Sequence, residues 1–427
     1  MRFFYEYHII QLLNMFNIAY LARMNWLFTI LLLTFLNVAC DNGPLQNHQS
    51  SSSQLRQTSN KQGRITPAAE RTGLYLPLLK EKSVAMVVNQ TSMVGRQNLV
   101  DLLLSEGVNI KRIFSPEHGF RGDADAGQKV ENQTDTKTGL PIISLYGKNK
   151  KPYKQDLSGI ETIVFDIQDV GVRFYTYIST LHYVMEAAAE QGIEVIVLDR
   201  PNPLGSYVDG PILESEFKSF VGLHPVPVVY GMTIGEYALM INGERWLEGG
   251  IKCDLKVIPL NNYSHDSHYI LPVKPSPNLP NNMAIGHYPS LCFFEGTTVS
   301  VGRGTDKQFQ VIGHPNYSDP TFTFTPVPKP GARYPKNENR LCKGIDLSKT
   351  KPQDNRLDLS HLINFHKDLT AQNVSFFNDD NFFNLLAGND KLKADIIAGV
   401  SEEEIRAGWE AGLLGFRMQR KKYLMYP

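Results

Sequence analysis

The stretch FSPEHGFRGD, Phe114 to Asp123, sets Glu117, His118 and Arg121 within five residues, with Pro116, Gly119 and Gly122 restricting the backbone around them. A carboxyl in so constrained a turn, beside apolar strand residues, loses solvation, and its pKa rises toward the range of a general acid. An ordinary polar turn at a strand end is the competing reading. Other acids and hydrogen-bonding groups recur at the ends of apolar runs. VAMVVNQ ends in Asn89, and TIVFDIQDVGVRFYTY delivers Asp166, Asp169, Arg173 and Tyr175. EVIVLDRPNP ends in Asp199, Arg200 and Asn202, and VPVVYG ends in Tyr230 shortly before Glu236. Further on, EGTTVSVGRGT carries Glu295 and Arg303, and a guanidinium there suits an anionic ligand through bidentate hydrogen bonds.

Several of these residues have a structural reading as well. TIGE, Thr233 to Glu236, is a capping-box pattern at a helix start. Asp166 or Asp169 fits a loop-fixing carboxylate paired with Arg173 or Arg200, and DRPNPLG reads as a rigid turn. Tyr175 and Tyr177 begin a helix, where one of them packs in the core.

The elements that must position these groups alternate. SVAMVVNQ, IKRIFS, LPIISLYG, IETIVFDIQD, IEVIVLDRP and CDLKVIPL read as short buried strands. RQNLVDLLLSEG, YTYISTLHYVMEAAAEQG and TIGEYALMINGERWL read as helices between them. This alternation predicts an α/β fold, a parallel sheet with helices on both faces, whose ligand site lies at the carboxyl ends of the strands. After the Pro- and Asn-rich LPVKPSPNLPNN the rhythm breaks, and the Pro-rich FTFTPVPKPGARYPK and several helices follow.

The bulk properties set the bounds. The chain has 427 residues, 43 basic and 43 acidic, with 42% hydrophobic and 20% charged residues. That is the composition of a soluble globular chain of about two domains, with no net field to draw it to nucleic acid. MNWLFTILLLTFLNVAC, Met24 to Cys40, has an apolar core too short for a spanning helix and resembles a lipoprotein signal ending at Cys40. The expected organisation is a signal over 1–40, a disordered tether over 41–63, a Rossmann-like domain over 64–272 and a smaller α/β or α+β domain over 273–427. The chain is expected to be exported to the periplasm and to meet the membrane only through a lipid on Cys40. Cys253, Cys292 and Cys342 show no metal-ligand spacing and read as buried thiols, with one disulfide as the alternative. No dinucleotide, P-loop, zincin or nucleophile-elbow motif is present, and no cofactor or metal is expected.

Taken together, FSPEHGFRGD, VFDIQDVGVRFYTY, VLDRPNPLG, PSPNLP, EGTTVSVGRGT and the terminal RKKYLMYP resemble the exo-β-N-acetylmuramidases of the NamZ type from about Gly63 to Pro427. The resemblance implies a Rossmann-like first domain, a smaller second domain and an active site in the cleft between them. It also implies release of N-acetylmuramic acid from the non-reducing ends of peptidoglycan fragments. By motif, Glu117 and His118 fall at the catalytic centre, Asp166, Asp169, Arg173 and Tyr175 on one wall, and Glu295 and Arg303 on the second domain's side. Thr298 and Gln308 stand where the resemblance leads to Asn and Pro. Arg173 and Arg303 are the expected partners of the lactyl carboxylate, and Tyr175 suits stacking on the sugar. The carboxyl opposite Glu117 stays open among Asp166, Asp169, Glu236 and Glu295, with the substrate's acetamido group as a further candidate. A muropeptide-binding lipoprotein without activity is the alternative function, and a metal-dependent hydrolase using Glu117 and His118 is a third.

Overall fold

The structure is a computed structural model that describes residues 63–427 apart from 117–118, 122–132 and 354. These residues belong to one compact unit, Lys61–Pro427. Its centre is a seven-stranded sheet of β1 (Ser83–Val88), β2 (Asn109–Ser115), β3 (Gln133–Thr134), β4 (Pro141–Ser144), β5 (Thr162–Asp166), β6 (Glu194–Leu198) and β7 (Leu255–Ile258). The spatial order is β3-β4-β2-β1-β5-β6-β7, parallel throughout except for the antiparallel edge strand β3.

Strands buried on both faces read as unbroken apolar runs, and alternate residues serve opposite layers. Val84, Met86 and Val88 join Val164, Ile196 and Leu198 in one core, completed by Leu99, Val100 and Leu103 of α1 (Leu99–Ser105). Ala85 and Val87 face the other way with Ile163, Phe165, Val195 and Val197. That second core takes in α2 (Tyr177–Gln191) and α3 (Ile234–Gly243), so the sheet is a middle layer as the alternation predicts.

The chain runs outward from β1 through β2 to β4, then crosses back to β5 on the other side of β1. Such a reversal opens a crevice at the carboxyl ends of the two central strands, where no crossover covers the edge. Val88 pairs with Asp166 in the last row of that junction. The following loops, beginning at Asn89 and Ile167, therefore leave the sheet side by side.

The second half is smaller. It holds α4 (Asn282–Leu291), a short antiparallel sheet of β8 (Val311–His314), β9 (Phe322–Phe324) and β10 (Cys342–Asp346), and α5 (Ser360–Ala371) to α9 (Glu410–Arg420). Phe293, Phe365, Phe383 and Phe416 join the same core as the helices of the large sheet. The two halves thus share one continuous interior. Cys253, Cys292 and Cys342 are free and buried.

Candidate active site

A cavity of about 300 Å³ opens beyond the carboxyl ends of β4 and β5. Tyr146 reaches it from the end of β4, Tyr175 and Tyr177 from the entry to α2, and Ser276 and Asn278 from the PSPN turn. Tyr288 and Cys292 come from α4 and the 3-10 turn that follows it. Tyr175 donates to the Pro275 carbonyl at 2.7 Å and sits edge-on to Tyr177 and Tyr288, with centroids 4.8 and 6.1 Å away. Anchored hydroxyls and edge-to-face packing hold the rings in place, so they form a wall with a fixed shape.

The charged side of the cavity is Glu295 with Arg303. Arg303 Nε donates to Glu295 Oε1 at 2.5 Å and Nη2 to Oε2 at 2.8 Å, a two-bond fork that leaves Nη1 outside it. Desolvation works against the guanidinium charge, but the facing carboxylate outweighs it and the Arg303 pKa rises. Beneath the pair Lys336 Nζ donates to the carbonyls of Phe294 at 3.1 Å and Glu295 at 3.3 Å, and also to that of Thr297. Burial pulls its pKa down to about 8. A second cavity of about 460 Å³, lined by Tyr207, His265, Asp266 and His268 among others, contains none of the candidate site residues.

Residues 84–283 match the family described as Exo-beta-N-acetylmuramidase NamZ, N-terminal, and residues 287–426 match its C-terminal counterpart. The chain is 40% identical over 373 residues to "Peptidoglycan beta-N-acetylmuramidase NamZ" of Bacillus subtilis, covering 82% of this chain and 89% of that one. The chain belongs to the NamZ family. Two solved DUF1343 family proteins from Bacteroides fragilis share the fold over 85% of this chain and 99% of theirs. One has a TM-score of 0.78 at 46% identity, and the other 0.75 at 28%.

Of the family residues expected from the motifs, the structure brings Tyr175, Glu295 and Arg303 to one cavity. Glu117 and His118 lie outside the described residues. Their flanks are in place: Ser115 ends β2, and the Gly119 amide donates to the Pro116 carbonyl at 3.3 Å.

The expectation for Arg173 is corrected. It is fully buried, and its two Nη atoms donate to four carbonyls, those of Pro211, Val226, Leu386 and Ala387, at 2.7 to 2.9 Å. Desolvation pulls its pKa down to about 9, and the two Nη atoms knit three segments together, while the one unpartnered donor, Nε, is buried away from the cavity lining.

Asp166 and Arg200 are also not free for a ligand. Arg200 Nε and Nη2 grip the two Asp166 oxygens at 2.6 and 2.8 Å, which is the loop-fixing pair the sequence allowed. Burial raises the Asp166 pKa against the pull of Arg200. Glu236 is committed too. Its Oε2 accepts the Thr233 amide in a capping box, while Oε1 takes the Met425 amide at 2.7 Å and faces His265 Nε2 at 3.1 Å. Asn202 bonds Met232 O and the Leu204 amide, and Arg121 pairs with Asp135 at 2.8 Å.

Asp169 differs from these. Its Oδ2 accepts from Tyr230 Oη and from the Gly171 amide at 2.7 Å, whereas Oδ1 is buried without a partner. Burial lifts its pKa to about 6 despite those donors. Tyr230 is thus a support for Asp169, and both are buried and absent from the cavity lining. Asn89 accepts from Thr91 through Oδ1 and keeps an unpartnered Nδ2.

Sequence reasoning missed Tyr146, Asn278 and Tyr288 on the cavity wall. Tyr146 follows the strand run LPIIS and was legible by the strand-end rule. Tyr288 faces the cavity from inside an apolar helix, where nothing local distinguishes it from a core residue.

Proposed function

We propose that this chain is an exo-acting glycoside hydrolase that removes N-acetylmuramic acid from the non-reducing ends of peptidoglycan fragments. The observation that carries the reading is the tyrosine-walled cavity of about 300 Å³ ending at the Glu295–Arg303 fork, in a NamZ-family chain. That volume is at the small end for ligand sites and suits a single N-acetylated sugar. Arg303 Nη1, which Glu295 does not use, recognises the lactyl carboxylate, and Tyr175 packs against the pyranose.

Glycoside cleavage needs a proton for the leaving oxygen and an assisting group on the other side of the anomeric carbon. Glu117, two residues past the end of β2, supplies the proton. Among the four carboxyls weighed against it, Asp166, Glu236 and Glu295 have both oxygens engaged, and Asp169 alone keeps one unpartnered. Asp169, steadied by Tyr230, is therefore the assisting carboxylate. The reading is tested by incubating the purified chain with fragments that end in N-acetylmuramic acid and following the free sugar by mass spectrometry. Absence of the free sugar sinks the activity, and an undiminished rate in Glu117→Gln removes Glu117 as the acid.

The chain acts outside the cytoplasm, tethered by a lipid on Cys40. The short apolar run, Ala39 before the cysteine and the polar tether after it support this reading. Labelling with a radioactive fatty acid checks it: loss of label in Cys40→Ala is expected, and equal labelling overturns the anchor.

A further inference from the structure

Of the Pro-rich stretch PVPKPGARYPKNENR, residues 326–340, only Lys336 has entered the site as described so far, yet the stretch is fastened to that site along its length. The amide of Val327 donates to Gly304 O at 3.0 Å, and Lys329 and Ala332 close a tight turn with reciprocal bonds of 3.1 and 2.8 Å. Asn278 Nδ2, on the cavity wall, donates to Gly331 O at 2.8 Å. Lys336 holds the carbonyls around Glu295, and Asn337 Nδ2 reaches Thr298 O at 3.0 Å.

Two glycines allow this close approach. A Cβ on Gly331 would lie 2.7 Å from Pro277 Cβ, and one on Gly304 would lie 2.6 Å from Val327 O and 2.7 Å from Pro335 Cβ. Both have positive φ, +85° and +80°, so a side chain there is disfavoured twice over.

Between these anchors the loop turns Tyr334 outward. It is 88% exposed, the most exposed of the large hydrophobic side chains among the described residues. It is three positions on from Gly331, so its Cα is at most about 11 Å from that residue, whose carbonyl meets Asn278. A lone exposed aromatic is unremarkable on a protein surface. Tyr153, for example, is half exposed but donates to Asn149 at 2.5 Å. Tyr334 is set apart by the anchored loop beneath it and by the short span of chain that joins it to a residue bonded to the cavity wall.

We propose that Tyr334 is a stacking platform for the saccharide that follows the terminal sugar, a rim subsite for the leaving part of the fragment. The proposal rests on the activity given above. In an exo-acting enzyme everything beyond the first sugar must cross the mouth of the cavity. A tyrosine ring offers a large apolar face to a pyranose at the cost of two torsions. Because the loop is pinned in advance, little further ordering is needed on binding.

The test compares two substrates with wild type, Tyr334→Ala and Tyr334→Phe. N-acetylmuramyl fluoride has a leaving group too small to reach the rim, whereas the N-acetylmuramyl-N-acetylglucosamine disaccharide places a sugar there. Tyr334→Ala is expected to lower kcat/KM for the disaccharide by about tenfold, mainly through KM, and to stay within about twofold of wild type on the fluoride. Tyr334→Phe keeps the ring and is expected to match wild type on both. Equal losses on the two substrates, or no loss on the disaccharide, overturn the platform while the activity stands. A wild-type chain that cleaves neither substrate overturns the activity and the platform with it.

Discussion

Arg200–Asp166 and Arg303–Glu295 are the same chemical object, a guanidinium gripping both oxygens of a carboxylate through Nε and Nη2. Arg200 and Asp166 are buried at the carboxyl ends of β5 and β6, where Arg200 Nη2 also reaches Met93 O. Arg303 and Glu295 line the cavity, with the guanidinium 5.3 Å from the centre of the Phe309 ring. The first fork welds the adjacent ends of β5 and β6 on one side of the topological switch. The second has an open edge toward a space that fits a ligand. Geometry alone does not assign a function to such a pair; what lies on its free side does.

Breaking the two forks should therefore give opposite phenotypes. Arg200→Met leaves Asp166 buried without its partner, and the expected loss is about 3–5 kcal/mol of stability, read from urea denaturation. Adding Asp166→Leu to Arg200→Met should recover much of that loss, since no buried charge is then left unpaired. Arg303→Met should keep the fold and lose about two orders of magnitude in kcat/KM for fragments ending in N-acetylmuramic acid. If Arg303→Met loses stability in parallel with Arg200→Met and has near-normal turnover, the contrast between the forks is wrong.

Asp169 sharpens the same comparison because it is a carboxylate with no arginine. Its pKa of about 6 makes it increasingly protonated as pH falls, so an assisting base there predicts an acid limb in the kcat/KM profile near that value. Asp169→Asn should cost about 10²-fold in kcat and abolish that limb, which a pH–rate series will show. The smallest expected effect concerns Glu236. Thr233→Ala removes the hydroxyl half of the capping box, for about 1 kcal/mol of stability with kcat unchanged. A change in kcat with no change in melting temperature would return Glu236 to the list of catalytic candidates.

Legibility followed the range of the interaction. The capping box of Thr233 and Glu236 was written three residues apart, so its two hydrogen bonds could be read from TIGE alone. The sheet was equally legible, because a parallel strand covered on both faces has to be an apolar run. The expected Arg173 contact failed for the converse reason. The arginine follows a strand end, as a ligand-binding residue would, but two of its four acceptors are on a helix 213 and 214 positions away. Asp166 and Asp169 are only three residues apart in FDIQD and looked interchangeable. Their difference came from Arg200, 34 residues on, and Tyr230, 61 residues on.

The sequence by itself determined the α/β class, the strand edge that carries the polar residues, and the family to which the chain belongs. Periodicity, turn chemistry and motif order are local properties, and they survive without coordinates. Only the tertiary structure decided which acids are paired, which arginine faces a cavity and which tyrosines wall it. Those outcomes depend on segments that approach from far along the chain. Each buried charge takes whichever partner the packing brings within about 3 Å, and no local pattern encodes that distance.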